Sequence, residues 1–181
     1  MPGRYAESLI LVWRLAELEA RFLKSSNISP GHLLLGICKC VDVDVVALLP
    51  NPCVDRNDRL EDLLKETRQL RELFGQVGFD AKAFRRTFRP TCMGTRSRVS
   101  EATRLPRTPE SKGAFKCAEK WASISSSKTL PIHLLHSLLR IENSRRDHLM
   151  KCQGVNLRSL KQAVRDHLAI SRHETTLHMN N

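Results

Sequence analysis

The stretch that decides the fold is "ISPGHLLLGICK", residues 28–39, read beside "TLPIHLLHSLLRI", residues 129–141. Each places a proline two residues before a histidine, and each continues Leu-Leu into an apolar run. Proline suits the first helical position, where its missing N–H costs nothing, so both stretches are predicted to open a helix. The two histidines stand 101 positions apart. At that offset, without a gap, Ala16 falls on Cys117, Ala20 on Trp121, Leu23 on Ile124, Ser25-Ser26 on Ser126-Ser127, and Ile37 on Leu138. A helix, a serine-containing break and a second helix therefore occur twice.

A second correspondence follows downstream. "GFDAKAFRRTF", 78–88, matches "GVNLRSLKQAV", 154–164, at an offset of 76: glycine, an apolar residue, an Asp or Asn cap, and a short basic helix. The offsets differ by 25, so the first copy carries about that many extra residues, placed within 41–66. Internal repetition of this kind predicts two similar helical units sharing one core.

The rest of the chain agrees. Leu9, Val12, Trp13, Ala16, Ala20 and Leu23 recur at helical spacing within 5–24, with both Trp13 and Trp121 read as core anchors. A strong amphipathic helix is predicted over 59–76, and further helices over 109–125, 131–142, 144–153 and 156–169. The segment 41–58 is ambiguous between a short strand and a continued helix. Residues 89–112 are read as a Pro/Ser/Thr/Arg-rich linker and 171–181 as a frayed tail. The predicted division is thus a first repeat over 1–88, the linker over 89–112, a second repeat over 113–170 and the tail.

The net charge of +11 is uneven. Residues 1–81 sum to −2, residues 82–111 to +6 and residues 112–181 to +7. Basicity in the centre and C-terminal half favours acidic partners. Arg85, Arg86, Arg89, Arg96 and Arg98 head the basic segment. The alternative function this segment offers, over 82–107, is nucleic-acid binding; it lacks interleaved aromatics, Phe84 and Phe88 fitting a helix face instead, so any nucleic acid would be held weakly and without sequence preference. Six cysteines without a CxxC pattern read as small apolar residues in a reducing cytoplasm or an organelle stroma. No apolar run is long enough for a membrane span.

No catalytic, metal or cofactor site is predicted. His133 and His136 are spaced i,i+3, but no nearby carboxylate or cysteine completes a metal site. Cys38 and Cys40 lie on different faces of one helix. The expected role of His32 and His133 is to satisfy backbone at a helix start. The replacement of Leu35 by His136 in the second copy predicts a more exposed position there.

The doubled pattern of a break, a Pro-x-His-Leu-Leu helix, and a Gly-apolar-Asx helix resembles the Clp ATPase N-terminal domain at the front of ClpA, ClpB and ClpC unfoldases. The resemblance covers about 5–40 and 67–170, and implies an all-α, pseudo-twofold bundle of about eight helices that docks substrates or adaptors. It implies partners among Clp ATPase or protease subunits, adaptors and clients, and candidate partner-binding positions at Gly31, His32, Ile132 and His133. In ClpC-type domains a glutamate typically precedes the histidine and helps bind phosphorylated arginine. Gly31 and Ile132 stand there instead, so that activity does not carry over and hydrophobic segments are the expected ligands. No G-x-x-x-x-G-K-[ST] loop occurs, and the chain reads as a free-standing version of the domain.

Overall fold

Two prolines, Pro30 and Pro131, open the two most deeply buried helices of the fold. The computed structural model describes residues 4–43, 57–93, 104–124 and 128–179. In chain order these form α1 (Glu7–Phe22), α2 (Pro30–Asp42), α3 (Asn57–Gln76), α4 (Ala81–Phe88), a 3-10 turn (Arg89–Cys92), α5 (Pro109–Ile124), α6 (Pro131–Arg140), α7 (Ser144–Cys152) and α8 (Leu157–Met179). The architecture is all-α, two pseudo-symmetric four-helix repeats in one bundle.

The symmetry is visible in the packing. α1 lies along α2 as α5 lies along α6, and α4 lies on α2 as α8 lies on α6. The central pair, α2 and α6, touch each other, and α3 and α7 each reach across to the other repeat, to α8 and α4 respectively. Helices enclosed on every side must be apolar all round, which is why Leu33, Leu34 and Ile37 match Leu134, Leu135 and Leu138 in burial. A ladder of rings from Phe74 through Phe79 and Phe84 to Phe88, with centroids 4.7, 5.1 and 5.0 Å apart, extends the core in the first repeat.

Local signals explain the helix starts. Gly78 and Gly154 adopt φ of +65° and +75°, a region that a side chain would strain. Two residues later Asp80 accepts from the amides of Lys82 and Ala83, and Asn156 from those of Arg158 and Ser159. Gly36 serves packing instead: a Cβ there would come within 2.6 Å of the Val12 carbonyl oxygen on α1. Its absence lets α1 and α2 cross closely.

The two repeats are also clasped crosswise by backbone. Ile28, in the break between α1 and α2, donates to Pro106 O (2.8 Å) and accepts from Thr108 N (3.1 Å), both on the lead-in to α5. Thr129, in the break between α5 and α6, donates to Arg4 O (2.9 Å) and accepts from Ala6 N (3.1 Å), both on the lead-in to α1. Each repeat thus closes the other's open loop.

Several expectations change. α8 continues through Met179, past the end predicted at 169, so most of the expected tail is helical. The predicted linker is structured at both ends: 89–92 forms the 3-10 turn, and Leu105, 3 % exposed, pins the 104–108 lead-in to the core. α2 runs on to Asp42, which resolves the start of the ambiguous 41–58 segment as helix, while 44–56 lies outside the described residues. Part of the extra length of the first repeat is helical, α3 having 20 residues where α7 has nine.

Candidate protein-binding groove

The paired histidines act as helix caps. His32 and His133 occupy the third helical position, and the Nδ1 of each accepts from the backbone amide three residues earlier, Ser29 and Leu130, at 3.0 Å in both. This is the place a capping-box glutamate usually fills, taken here by a neutral imidazole. An accepting Nδ1 fixes the proton on Nε2. The His32 Nε2 lies toward the Cys92 backbone without meeting a partner at hydrogen-bond geometry.

Burial holds both rings neutral. Desolvation lowers the His32 pKa, and for His133 desolvation, with His136 and His167 adding repulsion, brings it down to about 4. His136 is 4 % exposed with its ring edge against Trp121 at 4.5 Å, which corrects the expectation that it would be the more open copy. Its pKa is lowered by burial and by Arg140 and Arg165. Neither tryptophan is a deep anchor: both rings are half-buried.

The other sequence-derived candidates are dispersed. Gly31 faces the protein's own 3-10 turn, where a Cβ would stand 2.7 Å from Cys92 Sγ. The cleft that it lines with Leu34, Phe88 and Arg146 holds about 20 Å³, room for a water but not a side chain. Ile132 is buried beside a still smaller cleft at Leu70 and His167. Arg85 pairs with Asp42 at 2.8 Å, and Arg89 grips the buried Glu19 through two bonds of 2.6 and 2.8 Å, with Lys39 at 3.8 Å. Those two arginines are tied to the fold, whereas Arg86 is exposed and Arg96 and Arg98 lie outside the described residues. Among the described residues no group of three or more His, Cys, Asp or Glu is placed to hold a metal, and no helix is long and apolar enough to cross a membrane.

A groove between the repeats, which sequence reasoning missed, is far roomier than either of those clefts. It holds about 220 Å³ and is lined by Tyr5, Leu9, Ile10 and Trp13 from the first repeat, and Arg104, Arg107 and Phe115 from the second. Phe115 meets the edges of Trp13 at 5.5 Å and Tyr5 at 6.2 Å. The Arg107 guanidinium lies 4.8 Å from the Trp13 ring centre and 5.1 Å from that of Phe115, a double cation–π contact. Tyr5 donates to Glu119, which also pairs with Arg4 at 3.1 Å. Burial, then that carboxylate, raises the Tyr5 pKa, so the hydroxyl stays a donor. The crosswise clasp sets the width of the groove, because Arg107 stands between the two bonds that tie Pro106 and Thr108 to Ile28. The one sequence signal was the i,i+3 pair of Ile10 and Trp13, hidden by the second repeat's contribution from a hundred residues away.

No family model matches the chain, and no curated protein matches it. Solved structures do. The chain is similar to the Hsp104 N-terminal domain from Candida albicans, at 15% identity with a TM-score of 0.59, over 88% of each chain. It is similar to the N-terminal domain of the caseinolytic protease associated chaperone ClpD from Arabidopsis thaliana, at 17% identity and TM-score 0.59, over 93% of this chain and 97% of that one. A structure from preliminary investigations of a malarial protein secretion system aligns at 15% identity and TM-score 0.63, over 92% and 95%. The doubled helical repeat, its matched histidine caps and these likenesses together make the fold of this chain that of a Clp/Hsp104 N-terminal domain.

Proposed function

We propose that the chain is a non-catalytic protein-interaction module that docks an extended segment of a client or adaptor protein in the groove between α1 and α5. The observation that carries this reading is the groove itself. It holds about 220 Å³, it is walled by three aromatic rings and Ile10, and a bulky apolar side chain entering it would lose water on several sides at once. Ile10 is 38 % exposed, apolar surface left open to solvent at the groove. Association with Clp ATPase or protease subunits is the biological setting that the fold suggests, by analogy of architecture.

The test is direct binding. Blocked, fluorescently labelled peptides rich in Leu and Phe, titrated against the chain, are expected to bind in the micromolar range, and Ile10→Asp to weaken them at least about tenfold. Equal binding by wild type and Ile10→Asp would remove the groove from the proposal. A parallel titration with an assembled Clp ATPase ring reads the suggested setting separately. The nucleic-acid alternative gains no observation here, since Arg85 and Arg89 are engaged with Asp42 and Glu19.

A further inference from the structure

Resting on that reading of the groove, we infer that it selects segments in which a side-chain carboxylate, Asp or Glu, sits next to the bulky apolar residue. Two arginines stand in a lining that is otherwise apolar and aromatic. Arg104 is exposed and Arg107 half-buried, and among the described residues no carboxylate pairs with either. Glu119, which reaches the groove residue Tyr5, is already held by Arg4 and by the Tyr5 hydroxyl.

Position matters as much as charge. Arg107 is on the backbone segment fixed to Ile28 on both sides, and its guanidinium carbon is held over the rings of Trp13 and Phe115. A cation–π contact draws on the charge of the guanidinium rather than on its hydrogen-bonding capacity, and leaves N–H groups at its edge for a planar, two-oxygen acceptor. An apolar side chain on the rings would bring its neighbour's carboxylate to that edge, where partial exclusion of water strengthens the contact. The groove is open rather than a closed socket, so a passing chain fits it, and we assign the carboxylate to a side chain rather than a chain end.

Three peptides with acetylated N-termini decide this: a Leu/Phe segment with adjacent Glu and an amidated end, the same with Gln, and the Gln form with a free C-terminal carboxylate. The Glu peptide is expected to bind about tenfold tighter than the amidated Gln peptide, with that advantage fading at high salt. In Arg104→Gln/Arg107→Met, where methionine keeps apolar cover over the rings, the advantage is expected to fall below about twofold, with far-UV circular dichroism and Tm confirming the fold. Equal affinity for Glu and Gln peptides overturns the inference, as does a free C-terminus that matches the Glu peptide. If the Glu advantage is absent but Ile10→Asp abolishes both peptides, the groove stands and only its acid preference falls. If Ile10→Asp changes nothing, the groove reading falls with it.

Discussion

Ile28 and Thr129 occupy equivalent breaks in the two repeats, and each is hydrogen-bonded on both sides to the lead-in of the other repeat. Both are buried, at 0 % and 1 % exposure, although neither belongs to a helix. The amides of Ala6, Ile28, Thr108 and Thr129 should therefore exchange with solvent slowly, within about tenfold of the interior of α2, when native-state hydrogen exchange is followed by NMR. Exchange at the rate of an open loop would show that the clasp does not hold in solution.

The histidine caps predict a graded response to substitution. Gln can reach the same backbone amide, whereas Ala leaves that amide bare and a void behind it. His32→Ala and His133→Ala should each cost about 2 kcal/mol or more, and the Gln variants roughly half as much, in urea unfolding.

The same rings make stability depend on pH. The native His133 pKa is about 4, below the ordinary 6.5, so the unfolded chain binds the proton more readily between those values. Stability is then fully present above about pH 6.5 and falls as pH drops toward 4, by at most about 3 kcal/mol from this residue, with His32 and His136 shifted in the same direction. Urea midpoints measured from pH 7.5 to 4.5 should fall, and His133→Gln should flatten the fall.

Glu19 is 2 % exposed and relies on Arg89, with Lys39 farther away. Arg89→Met strands that carboxylate and should destabilise by about 3 kcal/mol, while Glu19→Gln/Arg89→Met should recover most of the loss. Failure of the double variant to recover would mean that Arg89 acts chiefly through its stacking on Phe22, whose ring centre lies 5.1 Å away.

Gly36→Ala should cost about 2 kcal/mol or more, because the new methyl group meets the Val12 carbonyl, backbone that cannot swing aside. Gly113→Ala, at a position open to solvent, should be neutral or slightly stabilising, and the pair of Tm values checks both.

What could be read from the sequence was what repeats locally. Pro30 and Pro131, the two histidines, and the Gly-x-Asx starts at 78–80 and 154–156 announce themselves because each rule operates within four residues. The arginines misled because their partners are distant in the chain: Arg85 meets Asp42 only after α4 has packed on α2, and Arg89 meets Glu19 only once the 3-10 turn reaches α1. His136 misled because polarity suggested exposure, while the Trp121 edge encloses it. The clasp was illegible because backbone pairing has no side-chain signature, and 104–108 reads "RLPRT", a loop by composition. With the clasp went the groove, since both of its arginines arrive on that segment.

The clasp also sets an order of events during synthesis. When residues 4–43 leave the ribosome, the peptide groups of Ile28 have no partner until residues 106–108 follow, and those of Arg4 and Ala6 wait for Thr129. The first repeat therefore emerges with its seams open, and its final closure is delayed until the break between α5 and α6 has followed. Half of this chain is not half of a folded protein.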